Sequence, residues 1–438
     1  DSVVAIRGGS PSRSFLNDQD VQEVVGPKTM AKERFFALAV VLNVLLSGAL
    51  ILGCAPFQDA MVRRYGYSKE AATTIYGIGF QILVFGTAVT SPVLDIIGPR
   101  WFGVLGLGAE FLGHFLLART ASYPVDQGVG ILSFAYGIVG LGGNMMMLAS
   151  MPFCHLFHNS STAASVMMGA YQAAGFVFML LTLEAVDFWT FFSTYQALAA
   201  LGLVAALVCF PDVPFTSPKD TPCCSLPVFK RPQWLQRPRW RSSGGEGSAW
   251  QHALAPLRLP ETWYFLLCFS LASTVAAWCA GTYYIQLSTK ASSGSEQLSK
   301  ALVFWMPLAS NSTFLFTPFI GALMDSRGFF HAIILLFLTI LCCISAVWLL
   351  PLTWQWLTLL TLNWLLAVTY ALQLSYITRR YAPDQFGMIM SYSTVVQSAV
   401  NVLGIYLLNC SPNHAAAVFI PPAFILCSLW AWREQRQA

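Results

Sequence analysis

Charge is what this chain has least of. Of its 438 residues only 10% are Asp, Glu, Lys or Arg, where a soluble globular protein carries about 25%. Hydrophobic residues make up 56%, which excludes a water-solvated surface and points to a lipid-embedded chain. Signatures of chemistry are missing too: there is no HExxH, no G-x-x-x-x-G-K-[ST] loop and no Cys/His set at metal-ligand spacing. The six histidines are scattered. No enzyme activity, cofactor, metal or nucleic-acid partner is therefore expected. The 11 cysteines do not form a disulfide framework, because most fall inside apolar runs, where they act as small buried residues.

What the chain has instead is long apolar runs. About 20 apolar residues span a hydrocarbon core of about 30 Å. Reading for that length predicts six spans at Phe35–Phe57, Ala71–Leu94, Trp101–Leu117, Gly128–Met151, Thr162–Leu183 and Phe188–Phe210. Six more follow at Trp263–Leu287, Ala301–Leu323, Phe329–Leu350, Gln355–Ile377, Phe386–Leu408 and Ala415–Trp432. The expected architecture is an all-α membrane protein of twelve spans. Its parts are a tail (1–34), two six-helix bundles (35–210 and 261–432), a central loop between them (211–260) and a short terminal tail (433–438).

All 24 Lys and Arg lie outside these runs, 18 of them on the side that holds both termini and the central loop and six on the other. Positive charge collects on the cytosolic side, so both termini are expected in the cytosol. The loop segment Lys230–Arg241, basic with interleaved tryptophans, reads as an anchor on that leaflet.

Two short loops on the cytosolic side repeat a pattern. "SPVLDIIGPRWFGV" places Asp95, Gly98 and Arg100 between the second and third spans, and "FIGALMDSRGFFHA" places Gly321, Asp325, Arg327 and Gly328 between the eighth and ninth. They lie 230 residues apart, each after the second span of a six-span half, the mark of a parallel internal repeat. Glycine permits a tight reversal, aspartate accepts orphan helix N–H groups and arginine offers a charge-assisted partner across the junction. These seven residues are the expected gate, a latch that holds in one state and opens in another.

With that spacing the chain resembles the major facilitator superfamily, whose G-x-x-x-D-R-x-G-x-R signature is kept in part by both loops; Ile96 and Ser326 stand where the first arginine is usual. The stretch Gly140–Gly175 and the segment Gly281–Leu287 are similar to solute-carrier family 43, large neutral amino acid transporters, and to the related apicomplexan amino acid transporters. The resemblance implies a monomeric plasma-membrane carrier of small neutral solutes, in the first place amino acids, working by alternating access as a uniporter or exchanger. Two alternatives stand beside it: a proton-coupled symporter of another small organic solute, and a substrate-sensing receptor without net transport.

No span contains Lys or Arg, which disfavours an anionic substrate, since a buried anion is costly without a cation beside it. A neutral zwitterion can be met by amides, hydroxyls and helix ends. The resemblance implies a cavity lined by spans 1, 4, 7 and 10 with help from 5 and 11. Those spans offer Asn43, Ser47, Asn144, Tyr171, Gln172, Tyr283, Tyr284, Asn363, Tyr370, Tyr392 and Gln397 as candidate substrate ligands. Met145–Met147 and Met167–Met168 read as core packing first and as a soft apolar wall second. Glu110 and His114, four apart in the third span, are candidates for proton coupling, with structural pairing as the plainer alternative.

Overall fold

The structure is a computed structural model. It describes residues 27–47, 54–123, 125–183, 185–222, 254–290, 311–407 and 412–437, with residues 298, 302, 305, 308 and 309. Most of the central loop, including Lys230–Arg241, lies outside the described residues, as do the side chains of Tyr283 and Tyr284.

The first half contains α1 (Pro27–Leu42), α2 (Cys54–Tyr65), α3 (Lys69–Ile97), α4 (Pro99–Ala118), α5 (Val125–Ser150), α6 (Ser160–Ala173) and α7 (Phe188–Cys209). The second contains α8 (Pro260–Lys290), α9 (Thr317–Arg327), α10 (Phe329–Leu349), α11 (Trp356–Arg380), α12 (Phe386–Leu407) and α13 (Pro412–Gln437). Among the described residues there is no strand, and seven helices are long and apolar enough by themselves to cross a membrane. In order and position the helices follow the predicted spans, of which residues 48–53 in the first and 301, 303, 304, 306, 307 and 310 in the eighth lie outside the described residues.

Local chemistry sets several boundaries. The Ser68 hydroxyl accepts the Ala71 N–H at 3.0 Å and starts α3, and the Asp187 carboxylate accepts the Thr190 N–H at 3.3 Å and starts α7. Gly98 takes φ +83°, so α3 ends, the chain reverses within one residue, and Pro99 opens α4. Gly328, at φ +75°, makes the same turn between α9 and α10. Only glycine holds such backbone angles without strain.

Helix ends depart from the predicted spans where charge is paired. The last helix continues past Trp432 because the Glu434 carboxylate accepts the Tyr376 hydroxyl at 3.0 Å and pairs with Arg380 at 3.2 Å, while Arg433 pairs with Glu261 at 2.8 Å. A hydropathy reading stops at such residues, since it cannot see that their charge is matched. Beside this network Tyr381 donates to the Thr262 hydroxyl at 2.9 Å, and burial pushes its own hydroxyl up to about 12, so it stays a neutral donor. The first span also differs: α1 starts at Pro27 and passes into a π-turn over Asn43–Ser47. π-turns mark local strain within a helix and recur at functional sites.

Within each half the helices pack mainly on one another. The two halves meet where α12 lies on α3 and where α6 lies on α9 and α11.

Candidate functional site

Between the halves lies a cavity of about 170 Å³. From the first half α3 contributes Phe80, Leu83, Val84 and Thr87, α5 contributes Asn144 and Met147, and α6 contributes Met168, Tyr171 and Gln172. The second half supplies Phe269 from α8, Leu366, Tyr370, Gln373 and Leu374 from α11, and Met390, Thr394 and Gln397 from α12. Among these lining residues there is no Asp, Glu, Lys, Arg or His. The polar ones are held by neighbours: Asn144 Nδ2 donates to Thr87 Oγ1 at 2.8 Å, Gln373 Nε2 to Ser393 Oγ at 3.0 Å, and Gln397 Nε2 to Ser273 Oγ at 2.5 Å. Gln172 is 3% exposed, and its Oε1 has no hydrogen-bond partner.

Five of the predicted ligands, Asn144, Tyr171, Gln172, Tyr370 and Gln397, share this cavity. Asn43, Ser47, Asn363 and Tyr392 are not among its lining residues. Asn43 instead donates to Ala39 O and Ser150 Oγ, both at 2.8 Å, and Ser47 donates to Asn43 O. Asn363 donates to Ser312 Oγ at 2.8 Å. Sequence reasoning missed Thr87, Gln373 and Thr394. Gln373 was within reach, one turn from Tyr370 on the same face; Thr87 was not, because it belongs to the second span, outside the set implied by the resemblance.

On the predicted cytosolic side two carboxylates join the halves. Asp95, in the last turn of α3, accepts the Gly387 N–H on Oδ1 and the Met388 N–H on Oδ2, both at 2.8 Å, at the start of α12. Asp325, near the end of α9, accepts the Thr162 N–H at 2.8 Å, the Thr162 hydroxyl at 2.7 Å and the Ser161 N–H at 3.3 Å, at the start of α6. Each acid thus caps a helix N-terminus in the opposite half, where orphan N–H groups and the helix dipole favour a negative charge. The two joints are the same joint made twice.

The arginines act differently from the expectation. Arg100 donates through Nε to Phe210 O at 2.7 Å and pairs with Asp212 at 3.3 Å, tying α4 to the end of α7 within one half. Arg327 is exposed. The cation at Asp325 is Arg379, at 3.5 Å. The helix-capping geometry explains this: the carboxylates point at backbone N–H groups across the interface, away from the junctions that hold the arginines. Gly98 instead makes room, since a Cβ there would lie 2.1 Å from Asp212 O.

Glu110 and His114 lie on α4 inside the first half and do not line the cavity.

A family profile described as Major Facilitator Superfamily matches residues 36–405. No curated protein matches the chain in sequence. Among solved structures, the proton:xylose symporter XylE, bound to 6-bromo-6-deoxy-D-glucose, is similar with a TM-score of 0.60 at 13% identity, over 92% of this chain and 95% of its own. The human organic anion transporter MFSD10 (TETRAN) is similar with a TM-score of 0.53 at 18% identity, over 93% of this chain and 97% of its own. At these identities the likeness speaks for the fold alone.

Proposed function

Because the chain belongs to the major facilitator superfamily and is a transmembrane transporter, we propose that it moves small organic solutes of no net charge by alternating access, with large neutral amino acids the first class to test. The observation that carries this reading is the cavity lining. Its polar groups are amides, threonine hydroxyls and tyrosines, and no ionisable acid or base stands among them apart from those phenols. An isolated charge moved into such surroundings costs several kcal/mol. A zwitterion or hydroxylated solute carries no net charge, and the amides and hydroxyls of the lining offer it donors and acceptors.

The other face of the cavity suits an apolar side chain. Met147, Met168 and Met390 line it together with Phe80 and Phe269, and methionine adapts to irregular apolar shapes. The two aspartate caps support a rocking cycle. Opening breaks them together with the Ser391 hydroxyl bond to Ala88 O and the Ser375 hydroxyl bond to Ser161 O, which separates the halves on the predicted cytosolic side.

The reading is tested by uptake of radiolabelled leucine, phenylalanine, a hexose, arginine and a dicarboxylate into sealed vesicles holding the purified protein. Saturable uptake of the uncharged or zwitterionic solutes, with arginine and the dicarboxylate excluded, is expected. Preference for the dicarboxylate would overturn it, and binding without flux would favour a receptor on the same fold.

A further inference from the structure

Glu110 and His114 are 0% and 1% exposed, and neither Glu110 carboxyl oxygen nor His114 Nδ1 has a hydrogen-bond partner. Tyr195 of α7, 3% exposed, has an unpartnered hydroxyl as well, and its ring lies 5.1 Å from that of His114, centroid to centroid. Glu110 is within electrostatic reach of Tyr195. Four unpartnered polar atoms on three neighbouring buried side chains are unusual, since groups of this kind normally pair.

Among the described side chains no fixed charge pairs with them. From α7 the titratable group facing the cluster is Tyr195. From α5 the contact is Gly142, while Tyr136 of that helix packs on Phe57 and Tyr76. The ionisable groups of α3 lie at its ends, Lys69 and Glu70 exposed and Asp95 capping α12, with Tyr76 against Tyr136. On α4 itself Arg100 pairs with Asp212, and Arg119, at the helix C-cap, lies over the Phe115 ring at 4.1 Å.

We propose that Glu110, with His114 and Tyr195 beside it, is a proton-binding site inside the first half, separate from the cavity, and that its loading is coupled to transport through α5. An ionised carboxylate here has no partner, and burying one is costly; a proton on the pair removes that charge.

The link to the cavity runs through three consecutive residues. A Cβ on Gly142 would lie 2.9 Å from both Glu110 Cγ and Glu110 N, and one on Gly143 would lie 2.0 Å from Ser47 O in the π-turn. The next residue, Asn144, lines the cavity and holds Thr87. At a joint too tight for a methyl group, an ionised Glu110 that must draw in a partner shifts α5, and Asn144 moves with it.

The coupling rests on the transport reading; the proton site does not, and two measurements separate them. Infrared difference spectra of the purified full-length protein across a pH titration read the carbonyl stretch of a protonated carboxyl. A titrating band lost in Glu110→Gln, and shifted in midpoint by Tyr195→Phe, is expected, and Glu110→Asp, which keeps the acid, is the second variant should Glu110→Gln fail to fold. No Glu110-dependent band overturns the proton site. In vesicles an inward proton gradient should drive wild-type accumulation of solute, whereas Glu110→Gln only equilibrates it. Equal accumulation by both, or none by wild type that equilibrates solute, overturns the coupling. Absence of any flux sinks the transport reading and the coupling with it, while the infrared band still decides the proton site.

Discussion

Gly387 of α12 and Gly321 of α9 do the same work from opposite partners. In one joint the capped helix carries the glycine, and a Cβ on Gly387 would lie 1.9 Å from Ser91 O, four residues before Asp95. In the other the capping helix carries it, and a Cβ on Gly321, four before Asp325, would lie 2.6 Å from Thr162 Cα. Gly387→Ala is therefore expected to prise the predicted cytosolic side open, whereas Gly108→Ala, whose Cβ meets nothing within 4 Å, leaves it shut. Spin labels on the exposed Val213 and Asp384 report this as a longer distance in the first variant alone. Asp95→Asn, whose single amide oxygen can accept only one of the two backbone N–H groups that the carboxyl now accepts, should weaken closure by about 1–2 kcal/mol, a factor of about 5–30. Arg379→Gln should change it by less than about 0.5 kcal/mol, because a half-exposed pair contributes little. In the cavity, Gln172→Leu removes a buried acceptor that has no protein partner. A loss of about tenfold in substrate affinity, about 1.4 kcal/mol, with thermal stability unchanged, is the expected result of equilibrium binding.

At the scale of helices, length and apolar content made the spans legible, and the repeated Asp-Gly-Arg loops made the internal repeat legible before any coordinates. Rotation about each helix axis was not legible. A membrane helix packed on several sides is apolar nearly all round, so its sequence lacks the polar stripe that marks an outward face in water. Asn43 and Asn144 therefore look alike in sequence, yet the first is fully buried against Ser150 while the second lines the cavity. The role of Arg100 was hidden for a related reason: its partner Asp212 lies 112 residues on, past α7, and spacing along the chain gives no hint of it. The turn itself gives a sharper expectation. Gly98→Ala meets both a positive φ and the Asp212 carbonyl oxygen at 2.1 Å, so it should fail to yield a monodisperse protein in detergent, as size-exclusion chromatography would show.

At the scale of the molecule, two halves enclose a cavity of about 170 Å³ without a fixed charge among its lining residues, and two aspartate caps join them on the predicted cytosolic side. The caps and the serine hydrogen bonds beside them are short-range contacts, so on the proposed reading a substrate-dependent free energy is what reopens this side. On the proposed reading, selectivity by charge and motion by rocking follow from one arrangement. The most direct measurement is competitive uptake into sealed vesicles, pairing leucine with an analogue of similar size and net negative charge. The account predicts saturable leucine entry that the charged analogue neither shares nor inhibits; equal or preferred entry of the anion would contradict it.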